Sequence, residues 1–232
     1  MEKTYRSIFI SDVHLGTRDC KAEALNNFLK HHTCDTLYLV GDIIDAWKIQ
    51  QNRWKWKQSH TNVVRRIMGH AKRGTRVVYV AGNHDEFLRQ FPFLELGNIE
   101  IHNEYEFRGT FITHGDLYDG VVKLKWLGML GSVGYDMAIY IDRKLKSFGF
   151  KRSLSKFLKD KVKEAVKFIT SFEEQLVYQS KLRYCHTVIC GHIHTPEDKM
   201  VDGVRYLNCG DWIENMSAIC IDKDGNLYLY QR

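Results

Sequence analysis

Apolar residues fall into short runs with helical stretches between them. Arg6-Ser7-Ile8-Phe9-Ile10, Thr36-Leu37-Tyr38-Leu39-Val40 and Val77-Val78-Tyr79-Val80 read as buried strands bounded by polar residues. Ala22 to His32 sets Ala22, Leu25, Phe28 and Leu29 at helical spacing, and a second helix is expected from about Trp54 to Ala71. Strand, helix, strand, helix, strand predicts adjacent parallel strands in a layered α/β fold. Two shorter strands, Glu100 to Phe107 and Thr110 to Thr113, surround Gly109. The strand pattern resumes at His186 to Cys190, Val204 to Leu207, Ser217 to Ile221 and Leu227 to Tyr230, the last two joined by a turn at Lys223-Asp224-Gly225-Asn226.

Between these strand regions, residues 121–184 have a period of 3.6. Leu154, Phe157, Leu158, Val162, Ala165, Val166, Ile169, Phe172 and Leu176 form one apolar stripe with lysines opposite, and Tyr135 to Phe148 reads as another helix. Val121 to Leu130 is apolar nearly all round, and Gly128, Gly131 and Gly134 loosen it. That fits a mobile lid element or an ordinary buried helix. With no low-complexity linker and no internal repeat, the chain reads as a single domain, 1–232, carrying a helical insertion at 121–184.

Composition narrows the function classes. A chain of 232 residues, 44% apolar and 27% charged, can bury a full core and has a soluble protein's balance. No apolar stretch approaches the roughly 18 residues of a membrane span, and Met1 to Arg6 lacks a signal peptide's apolar segment, so a cytoplasmic location is expected. The six cysteines have no C-x-x-C spacing, which points to reduced, buried thiols rather than a disulfide framework or a cysteine zinc site. Net charge is +6, and residues 121–184 alone hold 14 lysines and arginines against 6 aspartates and glutamates. Such a surplus suits a phosphorylated substrate, anionic lipid headgroups or nucleic acid, although a solvated helix face needs no partner.

The candidate chemistry lies at the strand ends. Asp12 and His14 follow the first strand, Asp42 the second, Asn83 the third, His114 the short strands, and His192 and His194 the strand after the insertion. Gly82-Asn83-His84-Asp85 alone could be a turn, since Gly and Asn favour turns. Each other block alone could be a helix cap or a structural histidine. Together they supply seven donors, more than one metal needs. Two metals sharing a bridging carboxylate would use all seven, and such a pair clamps the attacking and leaving oxygens of a displacement at phosphorus. Oxygen donors mixed with imidazole, without thiolate, suit manganese, iron or zinc.

The blocks SDVHLG, LVGDIID, GNHD, THGD and GHIH resemble the signature of the calcineurin-like metallophosphoesterases and span residues 11–194. The resemblance implies an α/β sandwich of two mixed sheets flanked by helices. It also implies one divalent metal at Asp12, His14, Asp42 and His194 and a second at Asp42, Asn83, His114 and His192. Within that superfamily, LYLVGDIIDAW, GNHDEFL, THGD followed by a basic helical insertion, and compact length are similar to the UDP-2,3-diacylglucosamine pyrophosphatases of lipid A synthesis. In that family the insertion is a cap that receives acyl chains at the inner face of the membrane. The resemblance thus assigns substrate contacts to Leu124, Trp126 and Leu127, a nucleotide-lipid substrate, and peripheral membrane contact through the basic cap. Members typically carry GNRD where this chain has GNHD, the pattern of the wider superfamily.

The expected mechanism is in-line attack by a metal-activated water, with His84 stabilising the developing charge or protonating the leaving oxygen and Asp85 as the carboxylate holding its imidazole. One rival is the same fold acting on a nucleotide, another phosphodiester or a phosphoprotein. A nuclease is disfavoured because the chain leaves no room for a second nucleic-acid-binding region. The other rival, a non-catalytic scaffold, usually lacks ligand histidines, and none of the seven donors is missing here.

Overall fold

Alternation along three central strands builds this molecule from the inside. In the computed structural model, which describes residues 3–119 and 154–231, these are β1 (Lys3–Ile10), β2 (His32–Val40) and β3 (Arg76–Val80). They pair in parallel, Ile8 opposite Leu37 and Leu37 opposite Val77. Ile8, Ile10, Leu37, Leu39, Val77 and Tyr79 point to one face, and Phe9, Tyr38, Val40, Val78 and Val80 to the other. Both faces are buried, so a one-residue slip of register would still bury apolar groups but mismatch every neighbour.

The first face is covered by helices. α1 (Ala22–His31) presents Leu25, Phe28 and Leu29, and α3 (Gln58–Lys72) presents Val63 and Ile67, all in one buried cluster with the strands. Burying each such side chain contributes roughly 1.5–3 kcal/mol. A short α2 (Ala46–Gln50) precedes α3. The predicted helix from Trp54 begins only at Gln58. Residues 53–57 are not helical; Trp54 closes over Gly16 and stacks on Trp56 with ring centroids 5.0 Å apart.

The second face meets another sheet. The first sheet runs β12-β11-β1-β2-β3-β5-β4, completed by β4 (Glu95–Leu96), β5 (Ile99–His102), β11 (Ser217–Ile221) and β12 (Leu227–Gln231). The second runs β6-β7-β8-β10-β9, from β6 (Tyr105–Phe107), β7 (Thr110–Ile112), β8 (Thr187–Cys190), β9 (Glu197–Val201) and β10 (Val204–Asn208). Ile112, Ile189 and Leu207 of the second sheet pack with Phe9, Tyr38, Val78 and Val80 of the first. The expected sandwich of two mixed sheets flanked by helices is therefore the observed one. The strands β4 and β9 were not legible: each pairs along one edge only, and Glu95, Glu197, Asp198 and Lys199 give them a polar surface pattern.

α4 (Leu154–Leu182) spans the predicted lysine-flanked stripe. The helices expected at 121–130 and 135–148, with Leu124, Trp126 and Leu127, lie outside the described residues. The chain forms two compact units, residues 1–116 with 176–232, and residues 117–175. All seven predicted donors belong to the first.

Candidate metal centre

The parallel strands of both sheets deliver their carboxyl ends to one rim, the usual place for ligands in open α/β sheets. β1 leads to Asp12 and His14, β2 to Asp42, β3 to Asn83, β7 to His114, and β8 to His192 and His194. The turns are tight and their backbone is unusual. Asp12 (φ 51°), His14 (φ 51°), Asp42 (φ 55°), His192 (φ 70°) and His194 (φ 54°) all adopt the left-handed conformation. For a residue with a Cβ this costs of order 1–3 kcal/mol and is held only where the surrounding fold dictates it.

The side chains converge. His194 Nε2 lies 3.1 Å from Asp12 Oδ1 and 3.4 Å from His14 Nε2. On the other side, Asp42 Oδ2 is 3.3 Å from His114 Nε2 and 3.9 Å from both His14 Nε2 and His84 Nε2. One carboxylate oxygen therefore faces both halves of the site. The His192 ring packs edge-on to His114 at 5.2 Å, and its backbone N–H donates to Asp12 Oδ2 at 3.0 Å. Asn83 is buried and its Oδ1 has no hydrogen-bond partner.

Two glycines make this approach possible. A Cβ on Gly82 would stand 2.3 Å from Asp42 Oδ1, and one on Gly41 would stand 2.3 Å from His114 Nδ1. Neither position admits a side chain.

The donor set fits divalent cations. Asp12 Oδ1, Asn83 Oδ1 and His114 Nε2 are buried atoms from three separate loops that make no well-aligned hydrogen bond, although Asp12 Oδ1 and His114 Nε2 each face a group of opposite charge. Burying such atoms unpaired is costly unless something binds them. His114 Nδ1 donates to the Val40 carbonyl at 2.9 Å, which fixes the ring and turns Nε2 toward Asp42, where a cation could take the place of its proton. Among the described residues, the groups close enough to share an ion are Asp12 with His14 and His194, Asp12 with Asp42 and His114, and His14 with Asp45 and His84.

Electrostatics follow from that crowding. Burial alone would raise the Asp42 pKa, but His114 beside it brings it down to about 2. Asp12 is likewise buried, and His114, His14 and His194 hold it well below the usual carboxylate range. Burial opposes protonation of His14 and His114, yet the carboxylates push both up to about 10. Without a cation the site balances its charge with protons.

One predicted contact is corrected. Asp85 does not hold His84. Its Oδ2 accepts from Tyr79 OH at 2.6 Å and from the Ile43 and Ile44 amides at 2.8 and 3.4 Å, and Oδ1 accepts from Gly82 N at 2.6 Å. Those bonds tie the loop after β3 to the loop after β2. The acid beside His84 is Asp45, whose Oδ1 is 3.0 Å from Nδ1. Asp45 Oδ1 also accepts from Lys48 N at 3.1 Å, so in sequence it is indistinguishable from a helix cap.

The stretch Asn208 to Trp212, unassigned from sequence, supports the Asp12 and His194 loops. Trp212 N donates to Asp12 O at 3.1 Å, Ser11 Oγ to Gly210 O at 3.1 Å, and Asn208 Nδ2 to Gly191 O at 2.8 Å. Asp211 Oδ2 lies 3.8 Å from His194 Nδ1. His84, 22% exposed, opens toward a cavity of about 400 Å³ lined by Trp47, Phe87 and Arg89.

A family model described as calcineurin-like phosphoesterase matches residues 5–196. The chain is 24% identical to a UDP-2,3-diacylglucosamine hydrolase of Shewanella sp. (strain ANA-3) and 22% identical to one of Shewanella pealeana, each alignment covering 95% of both chains. Among solved structures it resembles a phosphoesterase from E. coli (16% identity, 97% of each chain, TM-score 0.45). It also resembles an archaeal phosphodiesterase (14% identity, 97% of this chain and 99% of that one, TM-score 0.44).

Proposed function

Because the chain belongs to the calcineurin-like phosphoesterase family, we propose that it hydrolyses a phosphoric anhydride at a centre of two divalent cations, with a UDP-2,3-diacylglucosamine-like nucleotide lipid as substrate. The observation that carries the reaction is the position of Asp42 Oδ2, which faces His14 and His114 at once. Asp12, His14, Asp42 and His194 would hold one cation, and Asp42, Asn83, His114 and His192 the second. Bound cations supply an activated water and neutralise the phosphoryl oxygens. Manganese suits the mixed oxygen and imidazole donors, as do iron and zinc.

The chain's own residues do the rest. His84 stands at the open edge of the centre, where it reaches the departing oxygen and gives it a proton. Asp45 orients that imidazole. The names of the two relatives support the nucleotide-lipid substrate, and the aromatic cavity beside His84 supports an amphiphilic one. The basic surplus of 121–184 supports peripheral contact with anionic lipid at the cytoplasmic face of the membrane.

The test is a comparison of substrates with the manganese-loaded protein. UDP-2,3-diacylglucosamine should be cleaved with release of UMP far faster than bis-p-nitrophenyl phosphate or single-stranded DNA. Rapid diester cleavage with the lipid untouched would remove the substrate and keep the chemistry. No hydrolysis of any phosphoester by metal-loaded protein would remove both.

A further inference from the structure

We infer that Arg89 is a positioning residue that locks the Asn83 loop to the His114 loop and so sets the affinity of the second cation site. The inference rests on the two-cation reading above. Arg89 lies in the 3-10 turn Glu86–Gln90, directly after Gly82-Asn83-His84-Asp85. Its guanidinium folds back over that loop. Nη2 donates to the Ala81 carbonyl at 2.9 Å, two residues before Asn83. Nη1 and Nη2 also donate to Asp116 Oδ2 and Oδ1 at 2.9 and 2.7 Å, two residues after His114. One planar group thus grips both loops, and only an arginine fork can do so in this bidentate form.

The grip matters because the two loops meet with nothing to spare. Gly82 approaches the His114 ring so closely that an added Cβ would stand 2.9 Å from Cδ2. Asn83 Oδ1 and His114 Nε2 are both buried without hydrogen-bond partners. Loops that present unpaired atoms tend to relax until those atoms find partners or water. The buried Asp116 and the largely buried Arg89 oppose that relaxation.

The other half of the centre has separate supports. Asp12 is held by His192 N and Trp212 N, and His194 by Asn215 Nδ2 on its carbonyl. Loosening the Arg89 clamp therefore acts directly on the second site and reaches the first only through Asp42, whose Oδ1 accepts from His84 N at 2.7 Å. A purely structural ion pair would not discriminate between them.

The experiment is a calorimetric Mn²⁺ titration of the full chain, with metal content read by elemental analysis, for the wild type, Arg89→Met, Arg89→Lys and Asp116→Asn. Two binding events are expected in the wild type. Arg89→Met and Asp116→Asn should weaken the second by roughly 10- to 100-fold, the usual effect of removing a group that supports metal ligands, and the first by much less. Arg89→Lys should recover only part of the loss. Unchanged binding at both sites, or equal weakening of both in variants that melt as the wild type does, overturns the inference while leaving the two-cation reading intact. A wild type that takes up one equivalent or none overturns the two-cation reading itself, whatever the variants do. Should Arg89→Met fail to fold, the near-isosteric Asp116→Asn carries the same comparison.

Discussion

Asp45 Oδ1 lies 3.0 Å from His84 Nδ1, and Oδ2 of the same carboxylate lies 3.5 Å from His14 Nδ1. One acid thus stands behind two imidazoles that face Asp42 from different loops. Burial would raise its pKa, but His14 and His84 hold it below the ordinary carboxylate range, so it is ionised at neutral pH. That charge favours the Nδ1–H form of each ring and turns Nε2 toward the centre.

Replacing Asp45 by Asn should lower kcat by roughly 10² to 10⁴ if His84 is the acid it orients. His84→Ala should fall in the same range with metal still bound. The double variant should lose less than the sum of the two, because one pair is shared between them, but more than His84→Ala alone, because Asp45 also stands behind His14. Additive losses, or full turnover of His84→Ala at saturating manganese, would sink the assignment.

Asp85→Ala tests the corrected role. It strips the partner from Tyr79 OH and from the amides of Ile43 and Gly82, all buried. Each orphaned group costs about 1–3 kcal/mol, so the loss of folding stability should exceed about 3 kcal/mol. Urea denaturation followed by circular dichroism measures it. A variant as stable as the wild type but slow would return Asp85 to the reaction.

These two aspartates show where the sequence was legible. Strand alternation around Ile8, Leu37 and Val77 is a direct consequence of burial on both faces, so the central sheet could be read in advance. The donor blocks could be read because strand ends in such sheets converge. What decides between Asp45 and Asp85 is the path of the chain after the strand. Asp85 is adjacent in sequence to His84, yet its carboxylate points back to Tyr79 and the β2 loop. Left-handed φ values at five donors leave only a weak compositional trace, since Asp and His enter that conformation more often than most residues but far less readily than Gly. Arg89 and Asp116 meet across 27 residues, a pairing no local pattern encodes.

Gly82→Ala should displace Asp42 and strip metal from the centre, in whatever fraction of the variant circular dichroism shows to be folded. Its new Cβ would stand 2.3 Å from Asp42 Oδ1 and 2.6 Å from Asp42 N, and backbone cannot yield as a flexible side chain does. In the proposed two-cation centre Asp42 belongs to both sites, so moving it should disturb both. Elemental analysis should find metal content far below that of the wild type. Normal metal content would mean that Asp42 is not shared.

Removing the cations should change how stability depends on pH, and the sign follows from the shifts. In the metal-free protein His14 and His114 are raised to about 10. Their protonation therefore stabilises the fold fully below the unfolded value near 6.5, and that contribution is lost as pH rises toward 10. Asp42 runs the other way: lowered to about 2, it contributes above the unfolded value near 3.9 and loses that contribution as pH falls through 2. Chelated protein should thus show a melting temperature that falls between pH 6.5 and 10. Metal-loaded protein should be nearly flat over that range, because the cation has replaced the protons. Loading manganese at pH 8 should also release protons, visible with a pH indicator in weak buffer. Equal pH profiles with and without chelator, or uptake of metal with no proton release, would show that the charge of this centre is not balanced by its imidazoles.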